Sequence, residues 1–202
     1  VQWCHDTLQA RRFFLVGSDY VWPRCVNAIA ADQITGLGAE VAGEAYVPFG
    51  SQSVDSAVRA IVAAAPDVIL STVAGDSAVA FARSLREAGI RPETTPVLTF
   101  AIAEDELRAA GADMVGNYAA WCYFQSLERE ENRTFVRNFK GRYGADRTTS
   151  DVIVAAYNSV HLWAQAVREA GTTDVRQVRN AMRHQSLAAP EGIIAVDPDT
   201  QH

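Results

Sequence analysis

Residues 13–24 read FFLVGSDYVWPR, a short apolar run that ends in a turn and is followed by a proline. An apolar run of this length, bounded by a turn, is typical of a buried parallel strand. Proline suits the first turn of a helix, and this one is followed by apolar residues at helical spacing: Val26, Ile29, Ala30, Ile34 and Leu37. The stretch therefore predicts a strand that leads directly into a helix.

The same strand-and-helix pattern recurs along the next hundred residues. Strands are predicted at 40–48, 66–72, 96–100 and 117–124, and helices at 54–65, 76–88 and 104–110. Regular alternation of this kind implies an α/β fold, a doubly wound parallel sheet with helices on both faces. Residues 11–120 are therefore predicted to form one α/β domain.

The pattern changes after that domain. Three helices follow one another at 131–143, 152–170 and 175–183, and only one late strand is predicted, at 192–196. The long middle helix carries aromatic and apolar side chains that need cover: Tyr157, Val160, Leu162, Trp163 and Val167. We expect these helices to belong to a second lobe whose sheet lies outside this chain.

Composition excludes several classes of partner. The net charge is −6, and the Lys and Arg residues are scattered, which argues against a nucleic-acid partner. No apolar run approaches the length of about 18 residues that a membrane span needs. The first ten residues do not resemble a signal peptide. The three cysteines Cys4, Cys25 and Cys122 are read as small apolar side chains or, alternatively, as including a Cys4–Cys25 disulfide.

No catalytic or metal-binding pattern is present. The segment Val16–Asp19 lacks the second glycine of a nucleophile elbow, and Gly36–Gly38 follows a helix, the wrong place for a dinucleotide fingerprint. The histidines are isolated, and no Cys/His cluster is found. We therefore expect no enzyme activity, no metal and no cofactor.

A ligand site is expected at the carboxyl ends of the strands. If the strand order is 2-1-3-4-5, the order reverses between the first and third strands, and ligands bind outside such a reversal. The loops there, 18–22 and 72–76, carry ring faces, hydroxyl groups and the carboxylates of Asp19 and Asp76. They hold no lysine, and Arg24 is the only nearby cation. The candidate ligand-binding residues are Ser18, Tyr20, Trp22, Thr72, Asp76, Phe100 and Ala101. The loop at Pro48–Phe49 lies at the same edge. This set favours a small neutral ligand with C=O and NH₂ groups.

Each candidate also has a purely structural interpretation. Asp76 and Ser77 could cap a helix, Ser18 and Asp19 could form only a turn, and Trp22 could pack in the core. Tyr20 lies on the turn and outside any periodic face, so it is the best functional candidate.

The segment Phe13–Arg24 closely resembles the start of the second lobe in amide- and urea-binding proteins. These belong to the type I periplasmic-binding superfamily, together with the branched-chain amino-acid receptors. The resemblance covers essentially the whole chain. It continues at Tyr46–Pro48, Ser71–Ser77, Ala103–Leu107, Ala120–Ser126, Ala155–Tyr157, Ala189–Gly192 and Gln201–His202.

This resemblance implies two lobes that close on a ligand. It assigns 11–120 to lobe two, 121–187 to the crossover and the returning helices of lobe one, and 188–202 to a re-entry into lobe two. The N-terminal part of lobe one is expected to be absent from this chain. In the amide-binding relatives the tyrosine matching Tyr20 reaches the ligand, and Trp22 and Thr72 match neighbouring site positions. Phe100 and Ala101 stand where amino-acid receptors place an acid.

The resemblance implies a substrate-binding component of an ABC importer for urea or short-chain amides. The expected partners are the permease subunits. The expected location is periplasmic or otherwise extracytoplasmic, with the membrane reached only through the permease or a lipid anchor. Two alternatives stay open: a cytoplasmic amide sensor that regulates an amidase operon through a protein partner, and a branched-chain amino-acid receptor.

Overall fold

The computed structural model describes residues 1–201, which form two compact units. Unit one is Val1–Ala120, and unit two begins at Trp121. His202, the last residue of the Gln201–His202 pair quoted above, lies outside the described residues.

Unit one is a five-stranded sheet in which every strand pair is parallel. Its strands are β1 Arg12–Ser18, β2 Glu40–Val47, β3 Val68–Thr72, β4 Val97–Thr99 and β5 Tyr118–Ala119. Its helices are α1 Gln2–Thr7, α2 Val21–Gly36, α3 Asp55–Ala64, α4 Asp76–Glu87 and α5 Glu104–Ala110, followed by a 3₁₀ turn, Gly111–Met114. The order β2-β1-β3-β4-β5 confirms the doubly wound α/β fold and the expected strand order.

Strands β1 and β3 carry the apolar runs Phe13–Val16 and Val68–Leu70 because both faces of the sheet are covered. Side chains alternate along a strand, so Phe14 and Val16 of β1 enter one core cluster, whereas Phe13 and Leu15 enter the other. All five residues of β3 are buried. The uninterrupted apolar runs in the sequence thus reflect helices packed on both sides of the sheet.

Unit one differs from the sequence prediction at both of its ends. Helix α1 was not predicted, because six residues are too short for a periodic pattern; Cys4 anchors it in the core with no exposed surface. The strand predicted at 117–124 is wrong beyond Ala119, since Tyr123 packs in the core of unit two. The Cys4–Cys25 disulfide is not formed: both thiols are free, as is that of Cys122.

Unit two contains the three predicted helices and a β-hairpin. The helices are α6 Glu130–Tyr143, α7 Asp151–Ala170 and α8 Val175–Met182; β6 Ser186–Ala189 and β7 Gly192–Ala195 pair antiparallel. Strand β6 was not predicted because its sequence, SLAA, carries no β-branched or aromatic residue. Its partner β7 is the strand predicted at 192–196.

Several apolar side chains of α7 are exposed in this structure. Val160 is 65% exposed and Trp163 is 51% exposed, and Val152 is also largely accessible. Val160 and Trp163 belong to the set that the sequence predicted to need cover. Leu162 and Val167 of the same set are half-buried, and Val167 packs against a core cluster of unit two. No helix within residues 1–201 is both long and apolar enough to cross a membrane.

Unit two is organised around a buried tyrosine. The Tyr123 hydroxyl donates to Oδ1 of Asn132 over 2.8 Å and also hydrogen-bonds to Oγ1 of Thr149, 2.7 Å away. Asn132 in turn donates through Nδ2 to the main-chain carbonyls of Gln125 and Leu127. These hydrogen bonds attach the segment before α6 to Asn132 in α6. They also attach it to Thr149, which lies just before α7.

We expect Tyr123→Phe to lower the free energy of unfolding by about 1–3 kcal/mol, because it leaves buried polar partners without their hydrogen bond. Urea unfolding followed by circular dichroism measures the change. The matched control is Tyr143→Phe, at a ring that is 59% exposed, for which we expect a change below about 0.5 kcal/mol. Equal effects of the two substitutions would contradict the role assigned to the network.

Candidate functional site

The candidate site lies at the edge of unit one where the parallel strands end. Ser18 pairs with Val47, Gly17 with Thr72, and Ser71 with Thr99, so the carboxyl ends of four strands lie side by side. The strand order reverses at β1 and β3, the position at which open α/β sheets bind ligands.

Hydrogen bonds tie the loops at this edge to the ends of the neighbouring strands. The Ala74 N–H donates to Oγ of Ser18 over 3.1 Å, which joins the loop after β3 to the end of β1. The Asp19 N–H donates to the carbonyl of Val47 over 2.7 Å, which joins the loop after β1 to the end of β2. Side chains from these loops are therefore held in fixed positions relative to one another.

Tyr20 and Trp22 present partly exposed rings at this surface. Tyr20 is the N-cap residue of α2, in an extended conformation, and Trp22 lies in the first turn. They are 37% and 38% exposed, and their ring centroids are 6.4 Å apart in a stacked arrangement. Within residues 1–201 neither the Tyr20 hydroxyl nor the Trp22 indole N–H makes a hydrogen bond. Both polar groups are free for a ligand, and Trp22 does not pack in the core.

Ser18 and Thr72 lie beneath this surface rather than on it. Both are buried, Ser18 with no exposed surface and Thr72 with 1%. Oγ1 of Thr72 donates to the carbonyl of Val16 over 3.2 Å, and Oγ of Ser18 holds the Ala74 N–H. In this structure both hydroxyls support the loops that carry Tyr20 and the start of α4.

The start of α4 supplies the polar side of the surface. Gly75 is the N-cap residue, and its φ of +61° with ψ of −144° is a conformation that side-chain-bearing residues rarely adopt. Asp76 is exposed in the first turn, where it makes no side-chain cap, whereas Oγ of Ser77 donates to the carbonyl of Ser51 over 2.6 Å. The first N–H groups of a helix have no partner within it, so they can serve a ligand oxygen.

The cation nearest to Tyr20 in the sequence, Arg24, is paired with a carboxylate. Arg24 bonds through Nε and a terminal nitrogen to Oδ1 of Asp19, over 2.8 and 2.7 Å, and its guanidinium lies 4.2 Å from the centre of the Tyr46 ring. The hydrogen bond to Asp19 is the main cause that raises the pKa of Arg24. Burial, followed by the hydrogen bond to Glu44, raises the pKa of Tyr46. The guanidinium of Arg24 is therefore already bonded to Asp19 and packed on Tyr46.

The end of β4 contributes less to the surface than the sequence suggested. Phe100 is half-buried and packs against the core cluster that contains Cys4 and Leu98. Ala101 is buried, and its N–H donates to Oγ1 of Thr99 over 3.1 Å. Neither side chain is brought to the rings of Tyr20 and Trp22.

Phe49 joins these rings, although it was not among the candidate residues. Its ring centroid lies 5.3 Å from that of Tyr20, with the two planes 75° apart, and it is 68% exposed. The signal in the sequence was the segment Pro48–Phe49–Gly50, since proline and glycine at this spacing indicate a turn that presents the residue between them. We call Tyr20, Trp22 and Phe49 the ring cluster.

The family profile described as the periplasmic binding protein domain matches residues 1–202, the whole chain. This chain belongs to the periplasmic binding protein domain family. The resemblance to the type I superfamily is thereby confirmed at the level of the family. Membership of the amide- and urea-binding subgroup is a narrower prediction, and the family match does not test it.

Two curated relatives and one solved structure show what this periplasmic binding protein domain is similar to. The Leu/Ile/Val-binding protein homolog 6 of Brucella melitensis is 23% identical over 182 residues, covering 87% of this chain and 46% of that protein. The limonene hydroxylase of Geobacillus stearothermophilus is 33% identical over 82 residues, covering 41% of this chain and 15% of that protein.

Among solved structures, the solute binding protein of an ABC transporter from Rhodopseudomonas palustris HaA2, in complex with p-hydroxybenzoic acid, superposes with a TM-score of 0.88. The identity is 19%, and the alignment covers 98% of this chain and 55% of that one. The chain thus spans about half of the length of these binding proteins. The likeness establishes the fold, and the ligand has to be argued from the residues of this domain.

Proposed function

We propose that this periplasmic binding protein domain is part of the substrate-binding component of an ABC-type importer for urea or a short-chain aliphatic amide. The planar face of the ligand contacts the rings of Tyr20 and Trp22. Its carbonyl oxygen meets the free N–H groups at the start of α4, and its NH₂ group meets the carboxylate of Asp76. The whole protein is extracytoplasmic and delivers the ligand to permease subunits.

The observation that carries the proposal is the pairing of Arg24 with Asp19. A carboxylate ligand is usually met by a cation, and the nearest one here is already paired with Asp19. The N–H groups at the start of α4 stand beside the exposed carboxylate of Asp76, which would repel an anion bound to them. Residues 1–120 hold 8 Lys and Arg side chains and 14 Asp and Glu side chains, a net charge of −6. That field also disfavours an anionic ligand.

Residues 11–120 are proposed as lobe two of the receptor. The helices within 121–187 are proposed to return to lobe one, and 188–202 to re-enter lobe two. The exposed side chains Val160 and Trp163 on α7 support the assignment of these helices, since monomeric proteins rarely leave such large apolar side chains clustered in solvent.

Titration calorimetry of the full-length protein tests the proposed ligand. We expect heat of binding with urea, formamide or acetamide and little with leucine or benzoate. Binding of leucine or benzoate alone would overturn the neutral-ligand proposal. Uptake of labelled amide by cells with and without the gene separates a transport role from a regulatory one, because a sensor leaves uptake unchanged.

A branched-chain amino-acid receptor is the second candidate, favoured by the Leu/Ile/Val-binding relative. Asp76 is the exposed acid that could meet an ammonium group in that case. The substitution Asp76→Asn separates the two candidates. It should weaken leucine binding by at least about tenfold if an ammonium is bound there, and change amide binding far less, because asparagine can still accept from an NH₂ group.

A further inference from the structure

Phe49 is held outward by a tight turn. The Ser51 N–H donates to the carbonyl of Pro48 over 3.0 Å, and Gly50 has a φ of +77°. A four-residue turn with this hydrogen bond and a positive φ at its third position is a type II turn, which requires glycine there. The turn places the Phe49 side chain at its exposed corner.

The turn is also anchored to the body of unit one. The hydroxyl of Ser77, a residue with no exposed surface, donates to the carbonyl of Ser51. The hydroxyl oxygen of Ser51 in turn accepts from the N–H of Ser53 over 3.1 Å. The exposure of Phe49 is therefore fixed by the surrounding hydrogen bonds. Phe49 lies against Tyr20, which stacks on Trp22, so the exposed rings are contiguous, and contiguous apolar patches mark binding surfaces.

The three rings form a corner. Tyr20 and Trp22 are tilted by only 28°, so their faces are nearly parallel, whereas Phe49 stands at 75° to Tyr20. A planar group that stacks on one ring can thus contact a second ring with its edge, the arrangement that aromatic groups prefer. The centroids of Trp22 and Phe49 lie 6.4 and 5.3 Å from that of Tyr20, so a ligand with a planar substituent can cover more of the cluster than urea or acetamide can.

We propose that Phe49 extends the specificity of this edge beyond urea and short-chain amides, to neutral amides that carry a planar apolar substituent, such as an aromatic amide. This inference rests on the proposed function, since it presumes that a neutral amide binds at Tyr20. The amide group occupies the polar side near α4, and the substituent extends along the ring cluster to Phe49. The exposed Asp76 carboxylate and the committed Arg24 disfavour the corresponding aromatic acid.

Calorimetry with benzamide, acetamide and benzoate tests the inference on the full-length protein and three variants. Phe49→Ala should weaken benzamide binding by about tenfold and change acetamide binding by less than about twofold. Phe49→Tyr keeps the ring and should retain benzamide affinity. The matched control is Val115→Ala, at another apolar loop residue of unit one that is 66% exposed, which should change neither affinity.

Two kinds of failure are distinguishable in this experiment. If acetamide binds but Phe49→Ala leaves benzamide binding unchanged, or weakens both amides equally, the role of Phe49 is overturned and the proposed function stands. If no amide binds and benzoate or leucine does, the proposed function itself has failed. Thermal melts by circular dichroism confirm that each variant is folded before its binding is compared.

Discussion

Replacing Tyr20 by alanine is expected to weaken amide binding by about 30-fold, a loss of about 2 kcal/mol. Tyr20 is the central ring of the cluster, since it contacts both Trp22 and Phe49. The substitution removes the stacking face and the free hydroxyl together, and it leaves the other two rings without their common neighbour. Calorimetric titration with the amide that binds most tightly measures the effect.

The two contributions of Tyr20 can be separated. Tyr20→Phe keeps the ring and should lose only the hydrogen bond to the ligand, about fivefold in affinity or about 1 kcal/mol. Tyr143→Ala removes an exposed tyrosine from unit two, and we expect it to leave the affinity unchanged. Full binding by a folded Tyr20→Ala variant would show that the ligand does not contact this edge.

The position of Tyr20 could be predicted because it depends on local sequence. An apolar strand, a turn and a proline at residues 13–24 fix the end of β1 and the start of α2, and the alternation that follows fixes the parallel sheet. The edge at which the strands end then follows from topology alone. Two of the candidate residues, Tyr20 and Trp22, depend only on this reasoning. Among the aromatic candidates, these two have exposed rings in the structure.

The remaining features of the site depend on contacts between distant segments. Phe49 meets Tyr20 because the loops after β1 and β2 are neighbours, and the sequence alone does not state how far each loop extends. The hydroxyl of Thr72 was a candidate because it ends β3, yet its hydrogen bond to Val16 is a contact across the sheet. A residue type indicates which interactions are available, and packing decides which of them form.

Gly17→Ala is expected to have the largest effect on stability, a decrease of about 3 kcal/mol in the free energy of unfolding. A Cβ atom at this position would lie 2.5 Å from Oγ1 of Thr72 and 2.8 Å from Cβ of Pro23. Both neighbours are buried, and Thr72 is held by its bond to Val16, so neither can yield without moving main chain. For a protein of this size the change lowers the melting temperature by about 10 °C.

The matched control for this substitution is Gly36→Ala, at the last residue of α2, where an added Cβ meets nothing within 4 Å. Alanine is the better helix former, so the control should raise stability by up to about 1 kcal/mol. The Gly17 variant should also bind amide less tightly, because the displaced Pro23 belongs to the helical turn that carries Trp22 and follows Tyr20. If Gly17→Ala were as stable as Gly36→Ala, the close packing of β1 against β3 and α2 would be wrong, and so would the placement of the ring cluster that depends on it.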